Sequence, residues 1–174
     1  MSARLRAFIA LPALLLSLFT AVVAAGVSTA PTADAATHKA HHKAHHAPSQ
    51  SAKIVHARNL ALRQIGDPYV YGAAGPKAFD CSGLVFFSYR HSGLSVPRTS
   101  SAQAAHARHI PKSRLKTGDF LFFADGGGVY HVGIFLHWGK GHHAVMLHSP
   151  KPGQKVQRAV PWTSSWFAGT LRGR

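Results

Sequence analysis

The sequence contains no glutamate, and its five acidic residues are all aspartate. A metallopeptidase motif of the H-E-x-x-H type is therefore excluded. No two histidines are separated by a single residue, which also excludes a zinc peptidase built on an H-x-H pair. A glycosidase normally needs two carboxylic side chains at the scissile bond. The aspartates beyond the first 35 residues stand in no setting that suggests such a pair: Asp67, Asp80, Asp119 and Asp125.

Residues 1–35 have the pattern of a secretory signal peptide. Arg4 and Arg6 form a short basic start, residues 8–23 are almost wholly apolar, and small residues precede a cleavage position at Ala35. A membrane anchor is the alternative, because the apolar run approaches the length needed to span a bilayer. Pro12 interrupts the run, no basic cluster follows it closely, and no cysteine follows it to carry a lipid. We therefore expect a secreted protein, extracellular or associated with the cell wall, without a stable membrane anchor.

The chain is strongly basic, with a formal charge of +15. Such a charge promotes association with polyanions, although it is equally compatible with a role in solubility alone. For an exported protein we expect anionic wall polymers or lipids as partners rather than nucleic acid. Residues 36–51 contain five histidines within nine positions and no large apolar residue, which predicts a disordered His/Lys-rich linker. These histidines could bind a transition metal loosely or form a soluble spacer.

Three helices are predicted at the start of a single domain that we place at residues 52–174. The first carries small or apolar residues at spacings of three and four, which mark one buried face: Ile54, Ala57, Ala61 and Ile65. The second begins where Asp80 or Cys81 can cap it and runs to about His91. The third covers about 99–107, after Pro97.

The second half changes to short apolar or β-branched runs separated by glycine-rich turns. The connections are too short for crossovers, so these runs predict antiparallel strands at 120–123, 131–136, 144–148 and 155–160. Helices followed by strands indicate an α+β domain. Trp162, Trp166 and Phe167 are predicted to be core residues, with stacking on sugar as the alternative. Residues 171–174 are expected to complete or trail an edge strand.

Cys81 is the only cysteine, so it has no disulfide partner within the chain. A lone thiol in an exported protein is either buried and inert or kept for its reactivity. Cys81 lies where the second helix should begin, and a helix N-terminus lowers the pKa of a thiol. The small pair Ser82-Gly83 lets a substrate backbone approach and offers N–H groups to an oxyanion. We therefore expect a nucleophilic thiolate.

His131 and His148 are the candidates for a catalytic base and the group that orients it. Both lie in otherwise apolar strands, where a polar side chain carries a burial cost unless it is partnered. An imidazole at a strand end can be aimed at a helix N-terminus, and a third group must orient it. His137, His142 or His143 could take the third position instead of His148.

The sequence resembles the NlpC/P60 family of bacterial cell-wall peptidases, which has a papain-like fold. Six stretches carry the resemblance, in the family's order between Tyr69 and Pro150: P-Y-V-Y-G, F-D-C-S-G-L-V, V-P-R-T-S-S-A-Q, T-G-D-F-L-F-F, H-V-G-I-F-L and M-L-H-S-P. The resemblance implies N-terminal helices, one of them carrying the nucleophile, packed on an antiparallel β-sheet. The segment between His131 and His148 looks longer than is usual in the family.

The resemblance also implies roles for individual residues. Cys81 would be the nucleophile, His131 the base and His148 the orienting residue. The supporting or substrate-binding positions would be Tyr69, Asp80, Ser82, Arg98, Ser100, Gln103 and Asp119, and for several of these a purely structural role is the simpler explanation.

The family usually cleaves the bond between D-γ-glutamyl and the diamino acid of peptidoglycan stem peptides. The resemblance therefore implies a secreted, monomeric cysteine endopeptidase that works by Cys-His-His acyl transfer on stem peptides, without metal or cofactor. One alternative is an N-acetylmuramoyl-L-alanine amidase of the related CHAP type. Another is a non-catalytic cationic protein that binds the cell wall.

Overall fold

The computed structural model describes residues 47–173. The predicted signal peptide and most of the predicted linker lie outside these residues. Three α-helices come first: α1 (Gln50–Leu62), α2 (Cys81–Arg90) and α3 (Ser100–His106). Six strands follow: β1 (Arg108–Ile110), β2 (Phe120–Asp125), β3 (Gly128–Trp138), β4 (Ala144–His148), β5 (Gln157–Ala159) and β6 (Trp166–Thr170). In this part of the chain, no helix has the length and apolar character needed to cross a membrane.

Helix α1 begins two residues before the predicted domain boundary, because Ser49 caps it. The Ser49 hydroxyl accepts a hydrogen bond from the N–H of Ala52 at 3.2 Å. Ile54, Ala57 and Ala61 are buried, as the spacing predicted. The prediction was wrong for Ile65, which is 44% exposed, because the helix ends at Leu62 and the chain turns before it reaches Ile65.

Helices α2 and α3 both begin at capping side chains. Asp80 is the N-cap of α2, and its carboxylate accepts the N–H of Gly83 at 2.6 Å. Thr99 caps α3 through the N–H of Ala102 at 3.3 Å. These caps satisfy N–H groups that have no partner inside a helix. Cys81 therefore becomes the first residue of α2.

The six strands form one antiparallel sheet in the order β1-β6-β2-β3-β4-β5. The four predicted runs correspond to the meander β2–β5, and the antiparallel prediction is confirmed. Strands β1 and β6 were not predicted from the sequence. Strand β6 is an interior strand between β1 and β2, so Trp166 and Phe167 are half-buried within the sheet, and residues 171–173 follow it. This strand was not recognised in the sequence because small residues interrupt its apolar run. A small residue is needed there, since a side chain at Gly169 would collide with the Phe122 ring.

Alternation along β2 divides the core into two clusters. Phe120 and Phe122 face the helices, whereas Leu121 and Phe123 face the opposite side of the sheet. A strand that is buried on both faces has no polar alternation, which explains the continuous apolar run. The opposite side of the sheet thus has its own apolar cluster, formed by Leu115, Leu121, Phe123, Phe135, Ala144, Met146 and Ala168.

We expect Gly83→Ala to destabilise the domain by about 2 kcal/mol or more, the cost of a clash in a packed region. A Cβ at Gly83 would lie 2.0 Å from the carbonyl oxygen of Ala73, which is backbone and cannot move aside. Urea unfolding measures the loss. Gly126→Ala is the matched control, because nothing lies within 4 Å of a Cβ there. Equal stability of the two variants would contradict the packing argument.

Candidate active site

The carboxylate of Asp80 fixes the N-terminus of α2. It accepts hydrogen bonds from the N–H groups of Gly72 at 2.9 Å and Gly83 at 2.6 Å, and from the Ser82 hydroxyl at 3.0 Å. The guanidinium of Arg98 donates to both of its oxygens, at 3.0 and 2.6 Å. Burial raises the pKa of this carboxyl, but the Arg98 and Gly83 donors outweigh burial and hold the pKa below its ordinary value. Asp80 is thus an ionised structural anchor.

Helix α3 supports the same network from the other side. Arg98 also donates to the Ser82 hydroxyl at 3.0 Å and to the carbonyl of Ala73 at 3.2 Å. The Gln103 amide donates to the carbonyls of Ser82 and Pro97, both at 2.9 Å. The Ser100 hydroxyl donates to the carbonyl of Val129 at 3.3 Å, which ties α3 to the start of β3.

Cys81 is half-buried at the start of α2, with its sulfur close to two backbone N–H groups. These belong to Ser82 and to Val132, the residue after His131, and both lower the pKa of the thiol. Burial outweighs them, and together with the negative charge of Asp80 it raises this pKa above its ordinary value. The expectation of a resting thiolate was therefore wrong, because the cleft desolvates the sulfur.

The expected oxyanion donors need a second correction. The N–H of Gly83 is occupied by the Asp80 carboxylate, so it is not available to a substrate. The N–H of Cys81 itself is the first of α2 and lies ahead of the hydrogen bonds within the helix. It is the backbone donor at this helix end that remains suited to an oxyanion.

His131 and His148 form a buried hydrogen-bonded pair. The Nε2 atom of His131 lies 2.9 Å from the Nδ1 atom of His148, and the two rings are nearly perpendicular. Both side chains are at least 95% buried, with 5% and 3% exposure. Strand pairing places them there, since His131, the fourth residue of β3, pairs with Phe123, and His148, the last residue of β4, pairs with Gln157.

Burial controls the charge of both histidines. It lowers the pKa of His148 to about 4, and burial together with the neighbouring His148 lowers the pKa of His131 to about 3. Both imidazoles are therefore neutral near pH 7. The Nε2 atom of His148 is buried and has no hydrogen-bond partner among the described residues. An unpaired buried polar atom of this kind costs about 1–3 kcal/mol.

Trp162 covers this pair, so the prediction of a core residue was wrong. It is 54% exposed, and its ring stacks on Phe123 with centroids 4.2 Å apart. Its centroid also lies 5.2 Å from that of His131 and 5.8 Å from that of His148. The segment between β5 and β6 brings it over the second face of the sheet. Trp162 therefore shields the imidazoles from water while it lines the cleft.

The cleft has two halves that meet at Cys81, Tyr69 and Tyr130. One half, of about 470 Å³, is lined by the polar network of Asp80, Ser82, Arg98 and Ser100. The other, of about 540 Å³, is lined by His131, His148, Trp162, Lys151, Gln154 and Gln157. An extended ligand lying through both halves would pass directly over the Cys81 sulfur.

Tyr130 reaches the cleft through an irregularity in the sheet. The register between β2 and β3 shifts there, so that Phe123 pairs with His131 but Ala124 pairs with Val129. Tyr130 is the extra residue, and it is 46% exposed. Bulges of this kind re-aim side chains next to active sites. The sequence offered only its position beside His131 as a signal.

The remaining predicted residues lie elsewhere or act structurally. His137, His142 and His143 are exposed near the far end of β3 and the loop that follows, so the structure does not place them beside His131. Asp119 is fully buried and accepts hydrogen bonds from Thr170, Arg172 and the N–H of Lys116. It fixes the turn before β2. In the described part of the chain, no group of three or more His, Cys or Asp side chains is placed to hold a metal ion.

We expect stability to fall as the pH drops from 7 towards 5. Below about pH 6.5 the two histidines bind protons in the unfolded chain but not in the folded protein, where the pKa values of His131 and His148 are lowered. Their contribution to the free energy of unfolding is therefore complete above that pH and is lost progressively below it. Each proton contributes a slope of up to about 1.4 kcal/mol per pH unit. Urea unfolding at several pH values measures the slope. His148→Gln should reduce it, whereas the exposed His137→Gln should leave it unchanged.

We expect Trp162→Ala to raise the pKa of both buried histidines towards 6.5, because water then reaches the rings. Titration of the imidazole C–H resonances by NMR measures the two values. Trp162→Phe should retain most of the lowering, since a phenyl ring still covers the pair. Unchanged pKa values in Trp162→Ala would show that the strands alone desolvate the histidines.

Comparison with known proteins identifies the domain. The model of the NlpC/P60 family matches residues 66–174. A Corynebacterium glutamicum protein named "Probable endopeptidase" is 46% identical over 90 residues, which is 52% of this chain and 42% of that protein. A gamma-D-glutamyl-L-lysine dipeptidyl-peptidase of Bacillus subtilis is 38% identical over 96 residues, or 53% of this chain and 31% of that protein. The chain therefore spans less than half the length of these relatives.

Solved structures agree with this assignment. The NlpC/p60 domain of the peptidoglycan hydrolase SagA has a TM-score of 0.59 and 33% identity, covering 68% of this chain and 98% of that one. The peptidoglycan hydrolase RipB of Mycobacterium tuberculosis has a TM-score of 0.60 and 28% identity, covering 70% of this chain and 65% of that one. Both the family match and the helices packed on a six-stranded antiparallel sheet show that this chain belongs to the NlpC/P60 family and has its papain-like fold.

Proposed function

We propose that the protein is a peptidoglycan endopeptidase in which Cys81, His131 and His148 act as nucleophile, base and orienting residue. The observation that carries the proposal is the 2.9 Å hydrogen bond between the two imidazoles inside the cleft that also holds Cys81. A buried pair of neutral histidines with one unpaired nitrogen adds little to stability. Such an arrangement is typical of a catalytic site.

The hydrogen bond is compatible with the tautomer of His131 that catalysis needs. His131 faces His148 through Nε2, so Nδ1 is the nitrogen left to take a proton from the thiol. Nδ1 of His131 is free to accept a proton only when Nε2 of His131 carries the ring hydrogen and donates it to Nδ1 of His148. His148 then carries its own hydrogen on the buried Nε2. The orienting role of His148 follows from this chain of donors.

The reaction begins from a neutral thiol and a neutral imidazole. Cys81 transfers its proton to His131 as the sulfur attacks the scissile carbonyl carbon, and the N–H of Cys81 stabilises the oxyanion. The imidazolium of His131 then protonates the departing amine, which leaves a thioester on Cys81. Water, deprotonated by His131, hydrolyses the thioester and releases the carboxylic acid and the thiol.

We assign the scissile bond to the amide between D-γ-glutamyl and the diamino acid. A γ-linked glutamyl residue keeps a free α-carboxylate beside this amide, and Lys151 supplies a positive charge to one half of the cleft. Asp80 is the acidic side chain among the described cleft residues, and Arg98 neutralises it. The name of the Bacillus subtilis relative refers to the same type of bond.

We also propose that the protein acts outside the cytoplasm, at the cell wall. The support is the basic start, apolar run and small-residue cleavage pattern of residues 1–35. The formal charge of +15 would favour retention on anionic wall polymers.

We expect the purified protein to cut muropeptides between D-glutamate and the diamino acid, with Cys81→Ala inactive. Removing the base in His131→Ala should lower kcat by about 10²–10⁴-fold. His148→Ala should also lower kcat, because without His148 no acceptor holds the ring hydrogen of His131 on Nε2. Mass spectrometry of the products measures both the bond and the rate.

Three outcomes distinguish the candidate functions in that experiment. Release of intact stems from muramic acid, dependent on Cys81, would identify an amidase and reject the proposed bond. Equal cleavage by Cys81→Ala would reject the nucleophile. Binding to cell walls without any product from either protein would identify a non-catalytic wall-binding protein.

A further inference from the structure

All three tryptophans of the chain line one groove that the catalytic mechanism does not use. Trp138, Trp162 and Trp166 come from the end of β3, the β5–β6 segment and the start of β6. The groove has a volume of about 520 Å³. Trp138 is 38% exposed and Trp162 is 54% exposed, so two large aromatic surfaces face solvent. Exposed aromatic groups gathered in one place indicate a binding surface.

The groove also offers hydrogen-bond donors and positive charge. Its polar lining comes from Lys112, His142, His143, Thr163 and Ser164, and no carboxylate is among its described lining residues. The Lys112 ammonium donates to the carbonyl of Ser164 at 3.0 Å and lies 4.0 Å from the centre of the Trp166 ring. These contacts hold the β5–β6 segment in place. The groove is therefore a formed surface with fixed walls.

The groove adjoins the cleft at Trp162. Trp162 lines both, and it lies within 6 Å of the catalytic imidazoles, with ring-centroid distances of 5.2 and 5.8 Å. A substrate that occupies the cleft can extend past Trp162 into the groove. The groove and cleft together offer a surface much longer than a single peptide bond requires.

We propose that this groove binds the glycan strand of peptidoglycan, the N-acetylated sugar polymer that carries the stem peptides. The inference rests on the proposed function, since it takes peptidoglycan as the substrate. Sugar rings present faces of C–H groups that pack against the flat indoles of Trp138 and Trp162, while their hydroxyl and acetamido groups hydrogen-bond to a polar rim. Because no carboxylate is among the described lining residues, the groove would not repel glycan strands that carry acidic stem peptides.

A polyanion without sugar rings fits the groove less well. A polyol phosphate would use positive charge, but the Lys112 ammonium already contacts Ser164 and Trp166. It would leave the two exposed indoles without a partner. The aromatic surface therefore favours a sugar strand over a phosphate polymer.

Tryptophan fluorescence reports directly on this groove, because the chain has three tryptophans and all of them line it. The probe is a β-1,4-linked oligomer of N-acetylglucosamine, titrated into the full chain carrying Cys81→Ala. We expect a saturable change in emission. Trp138→Ala in the same background should weaken binding by about tenfold, the loss expected for one aromatic stacking surface. Trp138→Phe should restore most of the affinity.

Matched controls separate binding from folding. Val55→Ala removes a side chain of the same 38% exposure from α1, away from the groove, and should leave the affinity unchanged. Thermal unfolding of each variant shows whether Trp138→Ala remains folded. If that variant is unfolded, His143→Ala at the exposed rim replaces it, with His91→Ala, exposed at the end of α2 and away from the groove, as its control.

Two further probes decide between occupants. No saturable response to the sugar oligomer, or equal affinity in Trp138→Ala, would overturn the proposal. A response to poly(glycerol phosphate) alone would make the groove a polyanion site, and a response to free stem peptide alone would make it an extension of the peptide cleft. Sugar binding by a protein that cleaves no muropeptide would reject the enzyme and keep the groove. Cleavage of muropeptides without sugar binding would support the enzyme and reject the groove as a glycan site.

Discussion

The site depends on the carboxylate of Asp80 more than on any other single group. It accepts five hydrogen bonds, including the cap of α2 and both arms of Arg98. Without it, Arg98 would lose its ion-pair partner and the first turn of α2 would lose its cap. Cys81 follows Asp80 directly, so the position of the proposed nucleophile is a consequence of this cap. The same network also joins the loop before α2 to the segment before α3.

Desolvation sets the chemistry of the residues that face this anchor. Burial raises the pKa of the Cys81 thiol and lowers the pKa of His131 and His148. All three groups are therefore neutral near pH 7, and in the proposed reaction the charged thiolate and imidazolium arise only after substrate binds. The cover provided by Trp162 contributes to this state. A thiol that stays neutral at rest is less open to oxidation, because the thiolate is the reactive form.

The two faces of the sheet have different tasks. The helices cover one face, and their packing on β2 and β3 brings Cys81 to the end of the sheet. The other face carries a second apolar cluster, with the two histidines and the tryptophan groove along it. The β5–β6 segment crosses this second face and delivers Trp162 to both. This crossing would allow one surface to contact a peptide and the sugar strand that bears it.

Local patterns in the sequence determined most of the elements and the identity of the candidate catalytic residues. Caps, glycine-rich turns and short apolar runs predicted α2, α3 and β2–β5, and the motifs around Cys81, His131 and His148 indicated the family. Only the tertiary structure decided what depends on distant contacts. Strand β6 pairs with β2 across some forty residues of chain, and Trp162 and Tyr130 acquire their roles from that pairing and from a register shift. The charge state of Cys81 was also beyond the sequence, because desolvation depends on everything packed around the sulfur.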